Sequence, residues 1–383
     1  MPAANEERPT APSSHVSPIS EVSDFAASSR IQALDCLRAI ACLVVILSHT
    51  QKITTPGSWT IGAYGVGLFC VLSGYLITSI LLKDETSDGR IHLSKFLQRR
   101  CLRIVPAYFA LLVPCAVLLS TGSFLKNHRD VTMQTLRELP YYATFTHNLG
   151  DGIGINHLWS ISIEEQFYCC LPILFIAIAS IKLRQSILAA IAIMLMPFAL
   201  LRAGDPHYCN AAFIALITGT LLALNISRVS TFLNRFHTGL ILSCSAGLFA
   251  VSMLARLCPY GPLCSIAFAL IIWLAVTRAK ASSKLHSLAY IGKISYGVYL
   301  VQMPISLVTY WLMDKYGLAH FVPVTFAINV ALSILVGAIS WEMFEKRVLK
   351  LRSRIEGKTI GLLLAAVTPI LLSIGVCLHL MHL

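Results

Sequence analysis

The sequence predicts an all-α polytopic membrane protein, a bundle of ten or eleven transmembrane helices with a cytoplasmic N-terminus. Hydrophobic residues make up 56% of the 383 residues, and charged residues make up only 13%. That charged fraction is about half of what an ordinary soluble domain carries. A globule of this size would need more polar side chains to cover its surface. The composition therefore excludes a soluble globule, a disordered chain and a fibrous protein.

Long apolar segments recur along the chain, and most have the length of a bilayer-spanning helix, which needs roughly 20 residues. They are continuous, as helices are, whereas a membrane β-barrel would show alternation in ten-residue segments. Two segments, 186–202 and 210–225, are short, so the predicted number is ten or eleven. The predicted spans are 33–51, 62–82, 104–121, 158–181, 186–202, 210–225, 238–255, 262–277, 288–312, 320–344 and 359–380.

The basic residues predict the orientation. If the N-terminus is cytoplasmic and all eleven segments span, the internal side holds 21 Lys and Arg residues and the external loops hold 7. Such an excess is typical of the cytoplasmic side. The net charge of +12 is spread over short clusters between apolar runs and forms no continuous basic face. We therefore expect no nucleic-acid partner.

The chain divides into a tail, a membrane domain and a final helix. Residues 1–30 are rich in Ala, Ser, Pro and Glu, which predicts a disordered cytoplasmic tail and not a cleaved signal peptide. The predicted membrane domain covers 31–354, and 355–383 is predicted to add a C-terminal transmembrane helix. The twelve cysteines contain no Cys-x-x-Cys pair, so we interpret them as buried apolar residues and expect no metal site.

Ionisable residues inside the predicted spans are the first candidates for a functional site, because a charge in a bilayer is costly. The first span contains Arg38 and His49, eleven residues apart. At 100° per residue both lie on one helix face, separated by about 16 Å along the axis. We expect Arg38 near the cytoplasmic end and His49 near the external end. The alternative is a snorkelling interfacial arginine and a surface histidine.

Two adjacent carboxylates, Glu164 and Glu165, lie about two turns inside another predicted span. Adjacent helical residues point about 100° apart, so at most one should face a given pocket. The alternative for the pair is a buried partner for an arginine. Trp159 precedes them near the predicted outer boundary, where it is either part of the site or an interface anchor.

An arginine pair lies at the predicted cytoplasmic entrance of the third span. Arg100 and Arg103 are three residues apart, which makes them neighbours on one helix face. Guanidinium groups bind phosphate oxygens bidentately, so the pair suits phosphate binding. The alternative is positive-inside charge in contact with anionic lipid.

Together these sequence motifs resemble those of the acyltransferase family 3 membrane proteins. They are similar to the motifs of bacterial O-acyltransferases that modify surface polysaccharides and other exported sugars. The resemblance extends from about residue 31 to residue 354. Each motif is weak alone, but six motifs in the same order are specific. They are Arg-x10-His at Arg38 and His49, a glycine-rich span from Gly65 to Ile77, Arg-x-x-Arg at Arg100 and Arg103, the block from Trp159 to Tyr168, the block from Ile294 to Leu300, and Ser-x4-Glu at Ser340 and Glu345.

The resemblance implies acyl transfer from acyl-CoA, with acetyl-CoA as the expected donor, to a sugar hydroxyl of a surface or exported glycan. It implies catalytic roles for His49, as base or transient acyl carrier, and for Arg38. Glu164 is favoured over Glu165 as the group that orients His49. The expected CoA-binding residues are Arg38, Arg100 and Arg103, and the expected acceptor-binding residues are Trp159, Glu165, Tyr168, Tyr299 and Gln302.

The resemblance further implies membrane lipid as a partner, acyl-CoA as a co-substrate without any resident cofactor, and a location in the bacterial inner or plasma membrane. Gln302 stands where many members carry His, and Arg347 where Pro is frequent. Longer relatives continue into an external hydrolase-like domain, which we expect this chain to lack.

Three other functions remain open at this point. Intramembrane Arg, His and Glu also build proton relays, so an ion-coupled or proton-coupled transporter is the main alternative. A scaffold that kept the fold and lost activity is the second. A different CoA-dependent transferase that uses His147 and Asp151 is the third; these residues lie in the predicted external loop 122–157, where CoA is absent.

Overall fold

The computed structural model describes residues 18–54, 61–120, 129–150, 155–201, 208–280, 282–318, 321–355 and 359–382. The regular structure in these ranges is helical, which confirms the predicted all-α fold class. The helices are α1 (Pro18–Thr54), α2 (Gly62–Asp88), α3 (Leu93–Ser120), α4 (Arg129–Ala143), α5 (Trp159–Ala177), α6 (Ile181–Met194), α7 (Met196–Leu200), α8 (Ala212–Leu224), α9 (Ile226–Leu233), α10 (Thr238–Leu254), α11 (Pro262–Thr277), α12 (His286–Lys293), α13 (Ser295–Lys315), α14 (Val322–Ser340), α15 (Lys346–Lys350), α16 (Arg352–Ile355) and α17 (Thr359–His382).

All eleven predicted spans lie on helices, but not all of these helices are full-length. Within the described ranges, six are long and apolar enough to cross a membrane. Bent pairs raise the number to eight if each pair is one span; α8 and α9 meet at 78°, and α12 and α13 meet at 64°. The helices α10 and α11 are shorter. The count by length among the described residues is therefore below ten or eleven, because the helices that carry the predicted spans 186–202, 238–255 and 262–277 have at most 17 residues each.

Some predicted segments fall partly outside the description. Residues 1–17 of the predicted tail lie outside the described residues, and 18–30 form the first part of α1. The predicted span 186–202 is divided between α6 and α7, and Pro197 lies in the first turn of α7, where its missing N–H costs no helical hydrogen bond.

The helices α2 and α8 pack with their backbones in close contact. A Cβ atom on Gly74 would collide with the backbone oxygen of Leu216, and one on Gly219 would collide with that of Val71. Small residues allow this approach between helices in a membrane. The Thr78 hydroxyl also donates to Thr220 across the contact at 3.1 Å. The paired glycines thus fix α2, which contributes one wall of the candidate site.

Helix α1 lies inside the bundle, in contact with α2, α12, α13 and α14. At its crossing with α12, Gly292 lies directly against the backbone of Asp35. These neighbours bury Ala39, Cys42 and Ile46 on α1 completely. The packing therefore carries the polar side chains of α1 into the protein and away from lipid.

A buried ion pair connects α2 to the start of α6. Arg184 is 1% exposed and binds Glu85 with both terminal nitrogens, at 2.8 Å and 2.7 Å. The same guanidinium donates to the carbonyl oxygens of Phe175 and Ile178. Such bidentate pairing suits an arginine that burial removes from water. Arg184 therefore connects the end of α2 to the end of α5 and the start of α6.

We predict that Gly219→Ala lowers the free energy of unfolding by about 1–3 kcal/mol, the typical cost of overpacking. The added methyl group would meet the backbone of α2, which cannot move aside as a flexible side chain can. The matched control is Gly247→Ala in α10, where a Cβ meets no atom within 4 Å. Thermal unfolding in detergent measures both variants. Equal melting temperatures for Gly219→Ala and the native protein would contradict the tight α2–α8 contact.

Candidate active site

A cleft among α1, α2, α3, α5 and α13 gathers charged side chains from separate helices. A larger cavity of about 1080 Å³ lies among α5, α6, α8 and α17, but almost all of its lining is apolar. The chemistry-bearing side chains therefore identify the smaller cleft as the candidate site. The predicted site residues that line it are Arg38, Arg100, Arg103, Glu164, Tyr168 and Tyr299.

Three arginines give the cleft a positive charge. Arg38 pairs with Asp35 one turn earlier on α1, with Nη1 and Oδ1 2.9 Å apart. The Arg100 guanidinium lies over the ring of Tyr168, 5.5 Å from its centroid. Arg103, one turn further along α3, is exposed. Within the lining, Glu164 is the single carboxylate against three guanidiniums. An arrangement of this kind suits a ligand with several phosphate oxygens.

The two adjacent carboxylates point to different places. Glu164 lines the cleft, where its Oε2 accepts a hydrogen bond from the Tyr168 hydroxyl at 2.7 Å and its carboxylate also bonds Ser73. Glu165 is 1% exposed, lies outside the cleft lining and is buried against the side of α17 that carries Thr368. The helical rotation of about 100° between neighbours accounts for this divergence. Glu164 is thus the carboxylate available to a ligand in the cleft.

His49 is held by an amide. Its Nδ1 lies 2.8 Å from Oε1 of Gln302 on α13. Because an amide oxygen only accepts, Nδ1 carries the proton and Nε2 carries the lone pair. The described partner of Nδ1 is therefore Gln302, a predicted acceptor-binding residue, whereas the sequence favours Glu164 as the group that orients His49. The interaction fixes the ring in the tautomer that a general base requires.

A second histidine lies beside the first. The ring of His157 is edge-on to the ring of His49, with the centroids 6.3 Å apart. His157 Nε2 lies 3.0 Å from the carbonyl oxygen of Leu300. That carbonyl is available because Pro304, four residues later in α13, has no N–H to donate to it. The proline therefore sets the orientation of His157, with a proton on Nε2.

Burial has a clear consequence for His157. The side chain is 3% exposed, and desolvation lowers its pKa below the ordinary value, with a smaller contribution from the neighbouring His49. A lowered pKa keeps the imidazole neutral at physiological pH. Its Nδ1 has no hydrogen-bond partner among the described residues. It therefore presents a neutral acceptor close to His49.

Tyr299 connects the cleft with the two histidines. It lines the cleft, and its hydroxyl donates to the carbonyl oxygen of His157 at 2.8 Å. Ser160 Oγ lies 2.7 Å from the same hydroxyl. Tyr299 therefore hydrogen-bonds the cleft to His157, whose ring lies edge-on to the ring of His49.

Other predicted residues lie apart from the cleft. The Trp159 ring packs edge-on to Tyr260, 5.5 Å between centroids, and does not line the cleft. His147 stacks on Tyr142 and lies 3.5 Å from Glu138, while Asp151 lies outside the described residues. In the described ranges, no three His, Cys, Asp or Glu side chains are grouped as a metal site.

Sequence reasoning missed three polar side chains of the site: Ser73, His157 and Ser160. All three stand within or directly beside the quoted motifs, which was the available signal. The block from Ile294 to Leu300 and the Ser-x4-Glu motif lie next to each other. Within the second motif, the Ser340 hydroxyl donates to Glu345 Oε1 at 2.9 Å. A Cβ on Gly297 would lie 2.7 Å from the same oxygen, so Gly297 lies directly against the Glu345 carboxylate.

Comparison with known proteins agrees with the motifs. The profile of a family described as an acyltransferase domain matches residues 31–341. The chain belongs to this acyltransferase family. It is 28% identical over 314 residues to the peptidoglycan O-acetyltransferase OatA of Listeria monocytogenes, which covers 73% of this chain and 50% of that protein.

A Staphylococcus aureus (strain COL) protein provisionally named an O-acetyltransferase is 34% identical over 171 residues, or 41% of this chain and 27% of that protein. The chain thus matches half or less of the length of these curated relatives. No solved structure matches it.

The cationic cleft predicts binding of polyphosphate anions. We expect pyrophosphate to raise the melting temperature of the acyltransferase, and Arg100→Gln and Arg103→Gln each to weaken its binding about tenfold or more, because a hydrogen bond to a charged group contributes about 1.5–3 kcal/mol. The control is Arg235→Gln, an exposed arginine outside the cleft lining. Equal stabilisation of all four proteins would exclude the cleft as the anion site.

Proposed function

We propose that the protein is a multi-pass O-acyltransferase of the bacterial inner or plasma membrane that moves an acetyl group from acetyl-CoA to a sugar hydroxyl of a surface or exported glycan. The observation that carries the proposal is the closeness of His49 to a cleft that contains three arginines. Tyr299 lines this cleft and hydrogen-bonds His157, whose ring contacts the ring of His49. Family membership supports the reaction class. A relative named for peptidoglycan makes a cell-wall glycan the first acceptor to test.

In this mechanism the donor enters from the side of the arginines. Arg38, Arg100 and Arg103 bind the phosphates of CoA, and the extended pantetheine arm reaches toward His49. The separation of Arg38 and His49 along α1, about 16 Å, is comparable to an extended arm of that kind. Glu164 limits the charge of the cleft, and its bond with Tyr168 fixes the tyrosine beneath Arg100.

The chemical step needs one base. His49 Nε2 takes the proton from the acceptor hydroxyl, whose oxygen attacks the thioester carbonyl. The carbon–sulfur bond then breaks, and the departing CoA thiolate receives the proton from His49, so atoms and charge balance. Gln302 holds Nδ1 throughout. In the second route, His49 itself accepts the acetyl group and then passes it to the hydroxyl.

Release of free CoA thiol tests the proposed reaction. Purified protein given acetyl-CoA and a muramidase digest of peptidoglycan should release free CoA thiol. His49→Gln should lower the rate at least 100-fold, because an amide cannot act as the base, and Arg38→Ala should also remove the activity. His286→Gln, at an exposed histidine, should leave the rate unchanged.

Two outcomes would redirect the assignment. If folded native protein neither binds nor consumes acetyl-CoA with any glycan extract, the donor assignment is wrong, and CoA-independent proton or solute flux in proteoliposomes would then support a transporter. Labelled acetyl retained on His49 without acceptor would exclude the pure general-base route.

Gln302 offers a separate test of the His49 tautomer. Gln302→Leu removes the acceptor of the Nδ1 proton, so we expect kcat to fall about 10- to 100-fold while the KM for acetyl-CoA stays the same. Gln302→Glu retains an oxygen acceptor and should keep more of the rate than Gln302→Leu. Steady-state kinetics with thiol detection measure both variants. An unchanged kcat in Gln302→Leu would show that the amide does not position the base.

A further inference from the structure

The interface of α1 with α13 and α14 changes from apolar to polar at the level of His49. On one side of that level it consists of Cys42, Ile46, Ile294 and Val298. On the other side it consists of amides and hydroxyls, each at most 4% exposed. We call these residues the polar seam: Thr50, Gln302, Ser306, Thr309, Thr325, Asn329 and Ser333.

Helical spacing directs the polar seam inward. Gln302, Ser306 and Thr309 recur every three or four residues on α13, so they share one face of that helix. On α14, Asn329 and Ser333 are also four residues apart. Two hydrogen bonds join these faces to α1. His49 Nδ1 donates to Gln302 Oε1 at 2.8 Å, and Asn329 Nδ2 donates to Thr50 Oγ1 at 2.9 Å.

Several polar atoms of the seam have no hydrogen bond. Among the described residues, no partner exists for Gln302 Nε2, Ser306 Oγ, Asn329 Oδ1 or Ser333 Oγ. A polar contact that only fastened helices together would pair such groups with one another, because lipid offers no alternative partner. Four unpaired atoms beside the proposed base indicate a ligand that supplies the missing donors and acceptors.

The chemistry of the polar seam selects a neutral polyol. It carries one amide donor, one amide acceptor and hydroxyls that do both, and it contains no charged side chain. Sugar hydroxyls also donate and accept, whereas a CoA phosphate requires the cations of the cleft. The two ligand chemistries therefore belong to different sides of His49.

We propose that the polar seam is the binding site of the acceptor sugar, and that it delivers the reacting hydroxyl to His49. The proposal rests on the proposed function. The seam is closed in this structure, so binding requires α14 to separate from α13. Helix α14 packs mainly against α13 and α1, and Leu335 and Ile339 on its other face are exposed. Outward movement of α14 would therefore break mainly its contacts with α13 and α1, including the close approach of Gly337 to Val298.

Cysteine accessibility tests the opening. N-ethylmaleimide should modify Ser333→Cys and Ser306→Cys, with the modified peptides identified by mass spectrometry against the native cysteines. The matched control is Ser245→Cys, at a serine 2% exposed that bonds the carbonyl oxygen of Ala267 between α10 and α11. We expect the control to react at least tenfold more slowly. Equal, slow reaction at all three positions would overturn the proposal.

Protection by sugar tests the ligand. Soluble fragments from a muramidase digest of peptidoglycan should slow the modification of Ser333→Cys at least fivefold. Acetyl-CoA alone should not, and its binding is measured separately by its effect on the melting temperature. Reaction without protection would mean a seam that holds only water, which overturns the proposal. Protection without acetyl-CoA binding would refute the proposed donor and leave the sugar site standing.

Kinetics separate a sugar site from a helix contact. Ser333→Ala should raise the KM for the glycan fragments about 5- to 20-fold and leave the KM for acetyl-CoA and the melting temperature unchanged. Ser245→Ala should leave both KM values unchanged. A lower melting temperature with an unchanged glycan KM would show that Ser333 serves helix packing alone.

Discussion

Hydrocarbon cannot form hydrogen bonds, so every polar group that the bundle carries below the membrane surface needs a partner from the chain or from a ligand. Most of the polar groups described above obey this constraint within the protein. Arg184 binds Glu85, Arg38 binds Asp35, Glu164 binds Tyr168, and His49 binds Gln302. Among the described residues, four of the buried polar atoms without a hydrogen bond lie together in the polar seam, on Gln302, Ser306, Asn329 and Ser333. Others are scattered through the bundle, so the unpaired atoms point to a ligand where they are grouped beside His49.

Glycine and proline residues in the helices make this arrangement of the site possible. Glycines at Gly74 and Gly219 bring α2 against α8, which holds Ser73 beside Glu164. Pro304 withdraws one N–H from α13, and the carbonyl of Leu300 that it releases binds His157 instead. The missing N–H of Pro304 in α13 thereby positions the imidazole of His157, which lies outside that helix. The same proline lies between Gln302 and Ser306, at the point where α13 passes from the histidines to the polar seam.

The sequence was sufficient for the fold class and for the choice of helix faces. Hydropathy predicts the helices at the eleven apolar segments, and the 100° rotation between neighbours predicts that Glu164 and Glu165 diverge. Hydropathy does not predict α4 or α9, or the helical conformation of residues 18–30. The sequence does not show how the helices pack against one another. The bend at Ile294 and the break at Leu195 depend on packing that hydropathy does not encode. The Gln302–His49 bond spans 253 residues, and no pattern within either helix predicts it. The sequence also does not mark His157 as a site residue, because its partner is a carbonyl, which every residue has.

The position of Gln302 ties the two halves of the site to one another. Its oxygen accepts from His49 and its nitrogen has no partner among the described residues, so one side chain faces both the base and the polar seam. A sugar that bonds Nε2 would fix the amide rotation and, through Oε1, the tautomer of His49. A charged carboxylate at this position would hold the imidazole equally well, but it would place a second charge in a region lined by hydroxyls, with a high desolvation cost. A neutral amide therefore serves both tasks, since it donates toward a polyol and accepts from the base without adding charge to the membrane interior.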